Sequence, residues 1–315
     1  MSCRNGRRPS SPDVWQRATL KEAWARHRSH GGGSMAVWGP GEIATIEFGE
    51  GPGERDAPVT AAELQGSLRR VTGLEVVVEH VETGIRYGDN TRHAETYRKG
   101  RVLLAGDAAH VHSPIGGQGL NLGLQDAVNL GWKLGLVVRG AAPESLLDSY
   151  TAERHPVADT VLRNVRAQVA LMRPGAQVDA LREVLGEVLE LPEAWRYFAG
   201  MMTGTAVDYA PGRPFVGGFA PELELLGGEG SQGLAGRMRD GRGLVVELVK
   251  PDEGPGAVGD AVAGYRGRVG FAWARAGSGL EDVSGLLVRP DGYVAWAGGR
   301  DGLADALTTW FGPPE

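Results

Sequence analysis

The chain has 315 residues, a formal net charge of −6, 42% apolar residues and 23% charged ones. That is enough apolar material for two domains or one large one, without the basic excess that nucleic acid or anionic lipid surfaces attract. The single cysteine, Cys3, excludes an internal disulfide and suits a reducing, cytoplasmic setting. No apolar run is long enough to span a bilayer. The fifty glycines, about twice the usual share, show no period and read as compositional bias.

Residues 1–34 carry basic and tryptophan-containing stretches without clear element order, and read as an unassigned, disordered extension. Residues 43–48, IATIEF, alternate as a half-exposed strand does. Residues 58–71 predict a helix capped by Thr60, with Glu63 completing a capping box. The valine-rich stretch 74–81 predicts another strand. Arg86, Tyr87 and Arg92 are candidates for lining a cavity, although solvated surface is the commoner role. His30, His80 and His93 read as surface residues.

The stretch 101–136, RVLLAGDAAHVHSPIGGQGLNLGLQDAVNLGWKLGL, organises the rest. Residues 102–105 form a short apolar run ended by Gly106, as in a strand covered on both faces. From Leu120 the spacing turns helical: Leu120, Leu124, Val128, Gly131 and Gly135 lie on one stripe, expected to face the core. Between strand and helix sit Asp107, His110, His112, Pro114, Gly116, Gly117 and Gly119. Glycines let a backbone approach a ligand, and the helix start near Gly117 offers free N–H groups and a positive dipole end. An anionic guest is the natural expectation. The His110-x-His112 pair has no third ligand at a useful spacing, so no metal is assigned.

Residues 143–172 predict a long helix interrupted by Pro156, followed by a helix over 176–189 and a helical or irregular piece near Trp195 and Phe198. Near Arg213 the composition shifts to short strands. Residues 243–249 and 269–274 are expected strands, and 286–289 and 293–296 flank the turn Pro290-Asp291-Gly292 as a hairpin. A helix over 301–309 closes the chain, and 213–315 is expected to fold independently.

The segments RYGDNTRHAETYRKGRVLLAGDAAH and GDAAHVHSPIGGQGLNLGLQDAVNLGWKL resemble the second FAD-binding motif of the class A flavoprotein monooxygenases, in particular the hydroxylases of aromatic polyketides. Tyr150, Glu153, Arg154 and Pro156 are similar to the Y-x-x-E-R-x-P signature of that family. The resemblance implies that Gly106 and Asp107 hold the ribityl chain of FAD. It further implies that Gly116, Gly117, Gly119, Leu120 and Asn121 face the flavin's N1–C2=O edge, and that the Pro114 carbonyl lies near its reactive carbon as the catalytic element. NAD(P)H is the implied co-substrate and an aromatic small molecule the implied substrate. The family opens on a strand and G-x-G-x-x-G, and no such sequence precedes Asp107. The expected fold class is therefore α/β (α+β). Residues 35–205 form a partial FAD- and substrate-binding region lacking the N-terminal Rossmann βαβ unit. Residues 206–315 form a thioredoxin-like domain without cysteine. A non-catalytic remnant, a homodimer and a complementing N-terminal fragment stay open as alternatives.

Overall fold

In the computed structural model the described residues are 2–4, 33–39, 42–49, 56–226, 233–249, 258–277 and 279–315. The chain divides into two compact units, Met1–Arg92 with His112–Gly117 and Leu162–Ala194, and His93–Val111 with Gln118–Val161 and Trp195–Glu315.

The first unit holds a four-stranded sheet of order β2-β3-β1-β4, formed by β1 (Ser2–Arg4), β2 (Gly33–Gly39), β3 (Glu42–Glu47) and β4 (Thr83–Ile85). Ser2 lies opposite Ala44 on one side and Ile85 on the other. Residues 2–4, expected in a disordered extension, are thus a central strand; the remainder of that extension up to residue 32 lies outside the described residues. Helix α1 (Ala61–Thr72) starts at the expected cap, with the Thr60 hydroxyl accepting the Glu63 N–H at 3.2 Å, although the Glu63 carboxylate binds Arg86 instead of completing the box, and it ends on Gly73 in the left-handed region. Its buried Leu64 and Leu68 pack with Ile43 and Val59. The strand expected over 74–81 is absent. Val76, Val78 and Val81 pack on this cluster, so their burial produces the strand-like pattern without a ladder. The Val78 N–H is taken by the Gln65 side chain at 3.2 Å instead of by a neighbouring strand. Arg86, a cavity candidate from the sequence, pairs with Glu63 at 2.6 Å.

In the second unit, β6 (Arg98–Lys99) and β7 (Val102–Leu103) form a two-stranded ribbon. The run 102–105 is therefore not a strand buried on both faces, and Val102 is 64% exposed. Helix α2 (Gly119–Val138) overturns a second expectation. Leu120, Leu124 and Val128 are exposed, Leu120 by 75%, whereas Leu122, Asp126, Asn129, Lys133 and Leu136 are buried. The buried residues keep helical spacing, but three of them are polar, and pairing within the fold decides which side turns inward. Lys133 Nζ binds Asn129 Oδ1 and Glu153 Oε2, both at 2.8 Å, with Glu153 contributed by helix α3 (Asp148–Met172).

The C-terminal sheet has the order β13-β12-β10-β11-β9, from β9 (Leu225–Leu226), β10 (Gly243–Val249), β11 (Val269–Arg275), β12 (Gly285–Val288) and β13 (Val294–Gly298). β10 and β11 are parallel, joined by a crossover containing the 3-10 turn Gly259–Tyr265, while β12 and β13 form the expected hairpin. Gly292 in its turn has φ 85°, which favours glycine. Alternating side chains build two cores. Val245, Leu287 and Trp296 pack with Leu303, Leu307 and Phe311 of helix α7 (Leu303–Phe311), and also with Leu136, Ala142 and Leu146. Leu244, Val246, Leu286 and Val288 form the other core.

Region 213–315 therefore closes the second of these cores by itself but shares the first. The first cluster includes the end of α2 and the turn after it. A buried ionic seam joins the same parts: Arg289 binds Asp291 and Glu153, Glu153 binds Lys133, and the Trp132 indole N–H donates to Asp291 at 3.1 Å. Burial disfavours the Glu153 carboxylate, but the Arg289 charge and hydrogen bonds hold its pKa below the usual range.

Candidate functional site

The turn carrying Asp107 is a 3-10 turn, Gly106–Ala108, opened by Gly106 at φ 58° and closed by the Ala109 N–H on Gly106 O at 2.8 Å. Asp107 is exposed at its centre. What fixes the turn is Asp126 of α2, wholly buried. Its Oδ2 accepts the Gly106 N–H at 3.1 Å and lies 2.6 Å from His110 Nε2, and its Oδ1 accepts Arg154 Nε at 2.8 Å. Arg154, also wholly buried, donates further to the Tyr209 hydroxyl, the Leu122 carbonyl and Gln125 Oε1. Burial alone would raise the Asp126 pKa, but the hydrogen bonds from His110 and Arg154 hold it below the usual carboxylate range. The turn also lies against α2: a Cβ on Gly123 would come within 3.3 Å of the Gly106 Cα. Gly106 and Asp107 are thus brought beside the first turns of α2, which hold Gly119, Leu120 and Asn121.

Helix α2 begins at Gly119, two residues later than expected. Its first backbone bond runs from the Leu122 N–H to the Gln118 carbonyl at 2.9 Å. The N–H groups of Gly119, Leu120 and Asn121 precede that ladder, as in the first turn of any helix, and make this end a partial positive charge. Leu120 and Asn121 are exposed. The Gln118 side chain donates to the Met201 carbonyl at 3.2 Å, tying the helix start to helix α5 (Pro192–Thr203). A cavity of about 490 Å³ lies here, lined among others by Gln118, Asn121, Gln125, Pro156, Met201 and Tyr209, with mostly apolar walls.

The loop 112–117 belongs to the first unit and is described within it. His112 Nδ1 donates to the Ser113 carbonyl at 2.7 Å, Pro114 is exposed, and its carbonyl accepts the Gly117 N–H at 3.2 Å. Gly116 and Gly117 have φ 78° and 65°. A Cβ on Gly117 would meet nothing within 4 Å, so its glycine is demanded by backbone conformation alone.

Sequence reasoning missed Asp126, whose only signal was its helical spacing with Leu122 and Asn129. It also gave no role to His93, which is half-buried. His93 stacks on His155 with ring centroids 3.9 Å apart, and its Nε2 lies 2.7 Å from the hydroxyl of the buried Tyr97. His110 is used up by Asp126, and no group of three potential metal ligands occurs among the described residues.

Comparison with known proteins meets the same residues. A model of the FAD binding domain matches 6–165, and a model of the aromatic-ring hydroxylase C-terminal region matches 213–314. The chain is 44% identical over 282 residues to a 12-dehydrotetracycline 5-monooxygenase/anhydrotetracycline 6-monooxygenase of Streptomyces rimosus, covering 86% of this chain and 55% of that protein. It is 43% identical to a rifampicin monooxygenase of Streptomyces venezuelae, covering 89% of this chain and 56% of the other. The structure of the anhydrotetracycline hydroxylase OxyS from Streptomyces rimosus superposes with a TM-score of 0.80 at 42% identity, over 92% of this chain and 60% of that one. The chain spans about half the length of the curated relatives it matches. It belongs to the FAD-binding domain family of flavoprotein aromatic hydroxylases and carries their C-terminal hydroxylase region.

Proposed function

We propose that this chain supplies the flavin-edge and C-terminal parts of an NAD(P)H-dependent FAD monooxygenase that hydroxylates an aromatic, polyketide-like substrate. The observation that carries this reading is the clamp formed by Asp126, which holds the Asp107 turn against the first turns of α2. The residues present fit the ribityl and pyrimidine parts of FAD. Asp107 is an exposed carboxylate that can accept a ribityl hydroxyl, and the leading N–H groups of α2 suit the edge that becomes anionic on reduction. Gly106 supplies positive-φ backbone beside the Asp107 turn, of the kind that lets main chain approach a ligand closely. Bound FAD, reduced by NAD(P)H, supplies the oxygen-activating chemistry.

The protein's own residues orient and shield. On this reading Pro114, which follows the Asp107 turn in the sequence, is the residue whose carbonyl serves the catalytic step. The 490 Å³ cavity beside Gln118 and Asn121 has the size and apolar lining for an aromatic substrate, with amide groups and the Tyr209 hydroxyl to set its orientation. The C-terminal order of parallel pair, crossover, hairpin and helix supports a thioredoxin-like domain, and without cysteine its role is packing rather than redox exchange.

The test is fluorescence titration with FAD and FMN. Asp107→Ala should weaken binding by about 1.5–3 kcal/mol, the loss of one hydrogen bond to a charged group. Equal affinity in the two proteins would remove Asp107 from the site. Following NADPH oxidation with and without a polycyclic phenol then asks whether the chain alone sustains turnover. The expectation is that it does not.

A further inference from the structure

Behind one wall of the 490 Å³ cavity lies Arg154, wholly buried, whose guanidinium offers hydrogens and no acceptor. Its Nε is taken by Asp126. Its other partners all belong to residues that line the cavity: the Leu122 carbonyl at 3.3 Å, Gln125 Oε1 at 3.2 Å and the Tyr209 hydroxyl at 3.0 Å. Gln125 and Tyr209 thus sit on the two ends of one planar fork, and that fork decides which half of each is left for a guest.

Gln125 must turn its oxygen to Arg154, because an NH2 group would set donor against donor there. Its NH2 group lies against Gly204, another lining residue, where a Cβ would come within 2.5 Å of Nε2. No acceptor for that NH2 group occurs among the described residues. The Tyr209 oxygen likewise accepts from Arg154. Burial raises the pKa of both Tyr209 and Tyr293, while the hydrogen bond between them lowers Tyr209 and raises Tyr293, as when Tyr293 is the donor. With its lone pairs taken, Tyr209 has only its own O–H to offer. The carboxylates on the lining do not offset this pair. Glu153 is held by Arg289 and Lys133, and Asp208 Oδ1 accepts the Ala210 N–H at 2.8 Å.

We infer that Arg154 sets the polarity of this wall, and that Gln125 and Tyr209 are specificity-determining residues which donate together to a ring carbonyl of an aromatic guest. The inference rests on the reading of the cavity as an aromatic site, and it names the group that the guest carries.

The experiment is equilibrium dialysis of the full chain with fluorenone, fluorene and carbazole in dilute dimethyl sulfoxide. These share one tricyclic frame and differ at one ring position, which is a carbonyl, a CH2 or an N–H. Apolar burial alone ranks fluorene above fluorenone. Fluorenone should instead bind about fivefold more tightly than fluorene, and carbazole no better than fluorene. Tyr209→Phe should remove most of that preference while leaving fluorene binding unchanged. Gln125→Glu keeps an oxygen on Arg154 but replaces the NH2 group by an acceptor, so carbazole should become the tightest of the three. That variant carries the test alone should Tyr209→Phe melt early. Fluorene binding at least as tightly as fluorenone, or a fluorenone preference that survives both substitutions, would overturn the inference and leave the aromatic cavity standing. Binding of none of the three up to their solubility would overturn the aromatic cavity and the inference with it.

Discussion

Asp126→Asn is the most informative single change, because the carboxylate faces donors on both sides. Oδ1 meets Arg154 Nε, and Oδ2 meets both the Gly106 N–H and His110 Nε2. An amide offers one oxygen and one NH2 group, so one side must set donor against donor whichever way it flips. Removing one partner of a buried ion pair costs about 3–5 kcal/mol. Arg154 keeps three neutral acceptors, Tyr209, Leu122 and Gln125, which places the expected loss near the lower end, about 3 kcal/mol. Urea unfolding followed by circular dichroism measures it, as a drop in midpoint at constant slope. The pH dependence gives a second readout. The folded pKa of Asp126 is depressed, so its stabilisation is present above the unfolded carboxylate value near 3.8 and fades as pH falls through the folded value. The wild-type chain should therefore lose stability in acid more steeply than Asp126→Asn, and the two should converge. A loss below about 1 kcal/mol, or parallel acid profiles, would refute the clamp and with it the reason for the fixed Asp107 turn.

Three other outcomes follow from the same geometry. Gly117→Ala should cost about 1–2 kcal/mol from the left-handed backbone alone, since its Cβ meets nothing, and urea midpoints check this. Lys133 is pushed down to about 8 by burial, against the pull of Glu153. Between that value and 10.5 the unfolded chain binds more protons, so stability should gain up to roughly 3 kcal/mol with rising pH, a gain absent in Lys133→Met. Tyr97, Tyr150 and Tyr293, raised by burial, titrate in both proteins and cancel in the difference; equal slopes would contradict the buried charge. Residues 213–315 expressed alone should show no sharp thermal transition and should be cut readily by protease, because the Leu136–Leu146 part of their core and the Glu153 partner of Arg289 are missing.

The amino-acid sequence by itself determined the local elements and the order of the flavin loop. Thr60 with Glu63, the hairpin turn at Asp291-Gly292 and the helix Ala176–Leu189 were legible because caps, turns and helical periods are short-range physics. Asp107, Pro114 and the glycines could be nominated from the sequence because they lie in one contiguous loop. Tertiary structure decided which face of α2 is buried. Hydrophobic periodicity pointed to Leu120, Leu124 and Val128, yet Asp126, Asn129 and Lys133 turn inward because Arg154, Glu153 and Arg289 wait there. No periodicity encodes partners lying 20 or more residues away in the chain. The same holds for the C-terminal region: its strands were readable one by one, but the sharing of their core with the end of α2 appears only when distant segments meet, since burial belongs to the assembled fold and not to any segment alone.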